Sequence, residues 1–234
     1  ICKTANGSIS TGRFNNNLIK AEFSTTGSYK GYNLKVDTEN LTLGGSTVLS
    51  ASYYDNYNFR GVEGIPASVQ TEYQAMSGYG TCYGDHRQEN RHKNKGLLTG
   101  TLTAQFLPDG TVSDDYLYSV MYYDNKSRII QTKSNNHLSG TEAEYIDYNF
   151  TGQPLRKKHI HTAILDNVLT TQEEVYTYQY DHAGRLYNVR HRLNNQPTVY
   201  LLQNRYDELG RLSKQGIGQV MPIPQSQPMM MAMS

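Results

Sequence analysis

Residues 180–186 read Tyr-Asp-His-Ala-Gly-Arg-Leu, and residues 206–212 read Tyr-Asp-Glu-Leu-Gly-Arg-Leu. Both match the pattern Y-D-x-x-G-R-L. The aspartate can start a type I turn by accepting hydrogen bonds from backbone amides two residues on, and the glycine suits a left-handed position. Arginine and leucine then open the next strand on opposite faces. The pattern predicts a β-hairpin closed through a bulge. We expect its leucine to enter a core and its arginine to lie across a tyrosine ring of the partner strand.

Two further stretches are degenerate copies of this unit. Residues 123–129 have Ser127 in place of glycine, and residues 148–155 keep Tyr148 and Gly152 but lack the arginine. The four tyrosines are 25, 32 and 26 residues apart, a period typical of repeat architectures. A left-handed Ser127 would cost about 1 to 2 kcal/mol, so either the turn changes type or neighbouring residues compensate. The predicted turn residues are Tyr123, Asp124, Arg128, Tyr148, Gly152, Tyr180, Asp181, Gly184, Arg185, Leu186, Tyr206, Asp207, Gly210, Arg211 and Leu212.

The composition also favours strands, with 20 Tyr, 5 Phe and no Trp. A tyrosine ring buries apolar area while its hydroxyl still requires a partner. In residues 174–180 the tyrosines alternate, so they share one face of a predicted strand. We favour a cross-strand ladder; the alternative is an exposed platform on which Tyr176 and Tyr178 stack against a sugar. The predicted fold class is all-β, with antiparallel hairpin repeats forming a curved, partly open β-sheet.

Three regions follow from the patterning. Residues 1–96 form an N-terminal β region with an irregular excursion at about 61–96, residues 97–216 form the repeat sheet, and residues 217–234 are a low-complexity tail expected to be disordered. The best helix candidate covers Ile65 to Met76. No apolar run reaches the roughly 20 residues of a membrane helix, so no membrane span is predicted. A net charge of +1 argues against nucleic-acid binding.

No catalytic motif is present, so we predict that the chain is not an enzyme and uses no cofactor or metal. His159 and His161 would share a strand face, but the neighbouring basic residues 156–158 oppose a cation, and we interpret them as a surface pair. Cys82, His86 and His92 have loosely ligand-like spacing without an evident fourth ligand. Cys2 and Cys82 do not make a disulfide framework, and their pairing stays open.

The spaced Y-D-x-x-G-R-L units resemble the bacterial RHS, or YD-repeat, family, and residues 53–59, 96–100 and 122–136 resemble segments of long RHS-type proteins of Bacteroidetes. The resemblance implies a spiralling antiparallel sheet that forms a shell, which in toxin-delivery members encloses a cargo. It implies an extracytoplasmic location at the cell surface or after secretion, with the export signal absent from this chain. The family's D-P-x-G-L self-cleavage motif is missing, so proteolysis is not carried over.

The expected function is a non-enzymatic structural or carrier segment of such a shell or cell-surface scaffold. Expected partners are other YD-repeat segments or a second copy through sheet edges, and a glycan or a toxin cargo. Exposed edges invite pairing, so we expect self-association unless the excursion covers the edges. The first alternative function is a cell-surface carbohydrate-binding module. The last is a polysaccharide-acting hydrolase, which needs two facing carboxylates that the sequence does not single out.

Overall fold

The computed structural model describes residues 12–14, 17–36, 39–43, 46–82 and 96–218. Strands and turns make up this part of the chain, and no helix occurs within it. The predicted all-β fold of antiparallel hairpins in an open sheet is therefore confirmed. The helix candidate at 65–76 is wrong, because these residues form turns and bends. Arg60 holds this segment in place by donating to the hydroxyl of Thr71 (3.1 Å) and to the carbonyl of Ser68 (3.2 Å).

The chain divides into two compact units, residues 1–174 and 175–234. The first unit contains a four-stranded antiparallel sheet of β1 (Gly12–Phe14), β2 (Asn17–Phe23), β3 (Tyr32–Val36) and β4 (Glu39–Asn40). It also contains strands of a second sheet that follow one another in chain order: β5 (Ser50–Tyr54), β6 (Leu98–Phe106), β7 (Val112–Tyr123), β8 (Ile129–Asn135), β9 (Thr141–Tyr148) and β10 (Pro154–Leu165). The regional division drawn from composition stays a prediction.

The division between the units falls inside β11 (Val168–Tyr180). The second unit continues with β12 (Leu186–Leu193), β13 (Val199–Tyr206) and β14 (Leu212–Ile217). β12 pairs antiparallel with β13, and β13 pairs antiparallel with β14. Few of its side chains are buried, chiefly Asn188, Val189 and Asn204. The predicted tail lies almost entirely outside the described residues.

The core of the first unit is built largely from tyrosine. Tyr32, Tyr53 and Tyr122 are fully buried. The rings of Tyr32 and Tyr53 stack with centroids 5.7 Å apart, and those of Tyr53 and Phe59 with centroids 4.6 Å apart. Each hydroxyl reaches a backbone carbonyl, as when Tyr53 donates to Lys30 at 2.7 Å. The tyrosines therefore bury apolar area without leaving a polar group unpaired.

The described part of the excursion packs on one face of the second sheet. Residues 57–65 contribute four core side chains, and residues 69–80 lie over β7 to β9. Two polar side chains on that face are buried beneath them. Gln131 exchanges two hydrogen bonds with the backbone of Gln74 (3.0 and 2.8 Å), and Lys133 donates to the carbonyl of Val69 (2.8 Å).

Candidate functional site

The four Y-D units lie at hairpin turns between consecutive strands, and all four turns have one geometry. In each, the amide of the fourth turn residue donates to the carbonyl of the first, as Gly184 does to Asp181 at 2.9 Å. The amide of the first residue donates to the carbonyl of the fifth, as Asp181 does to Arg185 at 2.9 Å. A register shift follows the turn in the three hairpins at 123, 148 and 206. This is the predicted type I turn with a bulge.

The aspartate side chain organises the turn as the sequence indicated. In the unit at 180, Oδ1 of Asp181 accepts from the amides of Ala183 and Arg185, both at 2.9 Å. Oδ2 accepts from the Arg185 guanidinium, with the Nε–Oδ2 distance 2.7 Å. The pKa of Asp181 lies below the ordinary aspartate value, first because the Arg185 amide donates to the carboxylate. In the unit at 148, Asn149 and Gln153 replace the ion pair with a 2.8 Å amide contact.

Ser127 keeps the turn type rather than changing it. Its φ is 61°, the left-handed region that Gly152, Gly184 and Gly210 occupy in the other units. Lys126, the preceding residue of the same turn, donates to the carbonyl of Phe150 at 2.9 Å, and its Nζ lies 4.0 Å from the Phe150 ring centroid.

The arginine of one repeat unit contacts the next repeat unit along the chain. Arg128 lies 4.6 Å from the ring centroid of Tyr148 and donates to the carbonyl of Asn149 at 2.9 Å. Arg185 lies 4.4 Å from the ring centroid of Tyr206. The ring therefore belongs to the following repeat, and each arginine joins its own aspartate to that repeat. Sequence reasoning predicted an arginine–tyrosine contact on a partner strand without assigning it between units.

The tyrosine hydroxyl provides a second link between units. Tyr148 donates to the carbonyl of Ile129 at 3.0 Å, and Tyr206 donates to the carbonyl of Leu186 at 2.9 Å. Both acceptors directly follow the arginine of the preceding unit. Tyr123 makes the same bond to the carbonyl of Leu98.

The strand register between units is constant. We count from the residue whose carbonyl accepts the tyrosine hydroxyl, which is Leu98, Ile129 or Leu186. The residue two positions after it pairs with the residue three positions before that tyrosine. It holds at all three interfaces for which the register is described: Gly100 with Val120, Gln131 with Tyr145, and Asn188 with Gln203.

A fifth unit, split by the excursion, was missed by sequence reasoning. Tyr54 ends β5 and Asp55 follows it, while Gly96 and Leu97 precede Leu98, the first residue of β6, so the sequence between Asp55 and Gly96 interrupts one hairpin turn. The amide of Asp55 donates to the carbonyl of Leu97 at 3.0 Å, its carboxylate accepts from the amide of Gly96, and Tyr54 pairs with Leu98 next to a register shift. Leu97 stands where the complete units have arginine. The signal was present as two fragments too far apart to match one pattern.

Glycine has a second role in the last unit besides its positive φ. A Cβ on Gly210 would lie 2.7 Å from Nη1 of Arg185, so a side chain there would displace the guanidinium. The expectation that the motif leucine enters a core is wrong for Leu212, whose side chain is 52% exposed. The reason is that β14 ends the strand order, and no element covers it within the described residues.

A second polar cluster lies on the other face of the second sheet, away from the excursion. Glu142 on β9 stands between His159 and His161 on β10: Nε2 of His159 is 2.8 Å from Oε2, and Nδ1 of His161 is 2.6 Å from Oε1. The imidazoles thus contact different carboxylate oxygens, and no group of three His, Cys, Asp or Glu in the described ranges is arranged to hold a metal. Sequence reasoning paired the histidines but missed the carboxylate, which is 17 residues from His159.

The electrostatics of Glu142 do not suit a general acid. Burial raises its pKa, but hydrogen bonds from Asn136, His161 and His159 outweigh burial, and the pKa is lowered. A general acid in glycoside hydrolysis requires a raised carboxyl pKa. Glu144, two residues on, pairs with Lys157 at 2.6 Å.

The predicted basic cluster is neutralised by carboxylates of other strands. Arg156 lies 3.6 Å from Asp147, and Lys158 lies 2.7 Å from Glu173. With Lys157 also paired, the three cations form no free basic surface.

The proposed ligand-stacking tyrosines are half-buried on β11. The Tyr176 ring contacts the His191 ring with centroids 4.6 Å apart, and Tyr178 follows two residues later on the same strand. His191 also lines a cavity of about 310 Å³ together with Leu193, Gln196, Pro197 and Val199.

The other residues singled out in the sequence are the cysteines and the histidines near Cys82. His86, His92 and Cys2 lie outside the described residues. Cys82 is half-buried, and burial raises the pKa of its thiol to about 11. Among the described residues, no helix has the length and apolarity that a membrane crossing requires.

Comparison of the chain with protein-family models and with curated proteins finds no match.

Proposed function

We propose that the chain is a non-enzymatic structural repeat protein of the RHS type, serving as part of an extracytoplasmic shell or cell-surface scaffold. The observation that carries the proposal is the linkage between units. Arg128 and Arg185 each pair with their own aspartate and contact the tyrosine ring of the next unit. A contact that repeats along the chain extends a sheet by adding units, which is the property a scaffold requires.

Several carboxylates of this sheet are paired with basic side chains. The Glu142 carboxylate binds two imidazoles, and the turn aspartates bind arginines. These pairings support a structural role for the carboxylates.

Two measurements test the proposal: whether the protein is exposed on the cell surface, and whether it hydrolyses polysaccharides. Intact bacterial cells producing the chain within its natural gene are labelled with antibody and treated with protease, and permeabilised cells are the control. Labelling and cleavage of intact cells are expected, together with no product from a panel of polysaccharides. Cytoplasmic retention, or turnover that Glu142→Gln abolishes, would contradict the proposal.

A carbohydrate-binding surface is the second candidate, favoured by the Tyr176–His191 ring pair beside its cavity of about 310 Å³. Half-exposed rings beside polar groups suit the faces of sugars. A glycan array distinguishes it: binding lost in Tyr176→Ala and kept in Tyr187→Ala supports it. Tyr187 is a matched control because it is 51% exposed on the neighbouring strand β12. An array without any bound glycan would remove this candidate.

A further inference from the structure

We propose that a polar cavity at one end of the second sheet binds a sugar ring, with Phe106 against one face of the sugar and the hydroxyl of Tyr118 hydrogen-bonded to its rim. The cavity lies within the first unit and shares no residue with the Tyr176–His191 ring pair of β11 and β12. Sugar binding here goes beyond the scaffold role, which does not depend on it.

The cavity has a volume of about 500 Å³, within the range of about 300 to 1,000 Å³ typical of small-molecule sites. Three parts of the chain line it: Pro66 and Gln70 of the excursion, the hairpin between β6 and β7, and the turn between β8 and β9. Both the hairpin and the turn lie at the end of the sheet opposite to the Y-D turns. Because three segments converge there, the cavity can surround a small ligand on several sides.

Two asparagines hold the wall that β7 and the β8–β9 turn form. Asn135 accepts from the amide of Tyr118 and donates to the carbonyl of Tyr116, both at 2.7 Å. Asn136 accepts from two amides of the turn, at 3.0 and 2.9 Å, and donates to the carbonyl of Thr162 at 2.8 Å. These bonds fix the shape of the site within the fold and leave ligand contacts to other side chains.

Several other polar side chains of the lining are available to a ligand. Tyr118 is only 6% exposed, yet its hydroxyl has no hydrogen-bond partner among the described residues. A buried hydroxyl without a partner is unfavourable, so a ligand group that pairs with it gains a favourable contact. Burial raises the pKa of Tyr118, which keeps the hydroxyl protonated as a donor. The side chains of Gln70, Gln105 and Asp115 also line the cavity and have no partner in the described ranges.

Phe106 provides an aromatic wall beside these polar groups. The register of β6 against β7 shifts between Ala104 and Phe106, and such bulges re-aim side chains, often next to functional sites. Phe106 lines the cavity and is 63% exposed. A sugar ring has an apolar face of C–H groups and a rim of hydroxyls. An exposed aromatic ring next to amide, carboxylate and hydroxyl groups matches both parts of such a ligand.

The charge of the lining selects among small polar ligands. Asp115 carries a negative charge, and no lysine or arginine is found among the lining residues that the structure describes. His137 also lines the cavity, and an imidazole is largely neutral at pH 8. A phosphate or carboxylate ligand would therefore lack a counter-ion, and an apolar ligand would leave the polar groups unpaired. A neutral sugar avoids both costs, because its hydroxyls can donate to Asp115 and accept from Gln105.

Saturation-transfer NMR of the full chain at pH 8, with the methyl glycosides of glucose, galactose, mannose and N-acetylglucosamine as probes, tests the proposal. At least one probe is expected to bind at millimolar concentration. Tyr118→Phe, which removes only the hydroxyl and keeps the buried ring, should weaken binding roughly two- to tenfold. Phe106→Ala should weaken it by a similar factor. Phe150→Ala is the matched control, because Phe150 is an 87% exposed phenylalanine on another turn.

A charged probe and a variant of the second unit complete the test. The methyl glycoside of glucuronic acid should bind roughly fivefold more weakly than that of glucose, because Asp115 repels its carboxylate, and Asp115→Asn should reduce this difference. The proposal is overturned if no probe binds, if Tyr118→Phe and Phe106→Ala both bind like the wild type, or if the glucuronide binds more tightly than the glucoside. Binding that only Tyr176→Ala abolishes would assign the sugar to the second unit and also overturn it. Surface display without sugar binding would leave the scaffold role in place.

Discussion

Replacing Arg128 with alanine tests the linkage between repeat units. The guanidinium donates to the carbonyl of Asn149 at 2.9 Å and stands over the ring of Tyr148, while Nη2 is 2.6 Å from the carboxylate of Asp124. A hydrogen bond from a charged donor contributes about 1.5 to 2 kcal/mol, and a partly exposed cation–π contact about 0.5 to 1 kcal/mol. The ion pair is discounted to about 0 to 1 kcal/mol because water screens it.

We expect Arg128→Ala to lower the free energy of unfolding of the first unit by about 2 to 4 kcal/mol. With a urea dependence of about 2 kcal/mol per molar, the transition midpoint falls by about 1 to 2 M. Urea titration followed by circular dichroism measures it. Hydrogen–deuterium exchange of peptides from β8 and β9 assigns the change to this hairpin.

Arg156→Ala is the matched control in the same unit. Arg156 lies 5.9 Å from the ring centroid of Tyr79 and 3.6 Å from Asp147, and its side chain is 48% exposed. These longer contacts predict a change below about 0.5 kcal/mol. A double-mutant cycle of Arg128→Ala with Tyr148→Leu should give a coupling of about 0.5 to 1 kcal/mol. The reasoning is refuted if Arg156→Ala destabilises as much as Arg128→Ala, or if the cycle shows no coupling.

Three other predictions concern the first unit. Ser127→Gly removes the cost of a left-handed serine, so thermal unfolding should show stabilisation by about 0.5 to 1 kcal/mol; a lower melting temperature would contradict this. Burial raises the pKa of Asp124, but hydrogen bonds from Arg128 and Lys126 outweigh burial and lower it. Its contribution to stability is therefore present above the ordinary aspartate pKa and is lost as pH falls through the folded value, so the gap in unfolding free energy between wild type and Asp124→Asn should close in acid. Burial lowers the pKa of Lys133 to about 8. Between about 8 and the ordinary lysine value the unfolded chain holds more protons, so stability should rise with pH in wild type relative to Lys133→Met; an ordinary pKa for the Lys133 ammonium in an NMR titration would exclude this.

The local turn was predictable from sequence because its forces act within five residues. The Asp181 carboxylate bonds to amides two and four residues on, and Gly184 accepts a positive φ without a Cβ penalty. The amino-acid order alone therefore specified an antiparallel hairpin at each copy. It also located the turn around Ser127. Only the structure shows that this turn has the same type as the others and that Ser127 adopts the left-handed conformation.

Contacts between units were decided only by the tertiary structure. Arg128 meets Tyr148 because the register sets β9 beside β8, and no local rule selects that ring over another. Glu142 meets His161 for the same reason, across strands that the sequence separates by 19 residues. A hairpin split by residues 56–95 defeats any pattern of fixed spacing. Short-range hydrogen bonds and backbone sterics are written into neighbouring residues, whereas side-chain partners across strands depend on register, which only the folded sheet supplies.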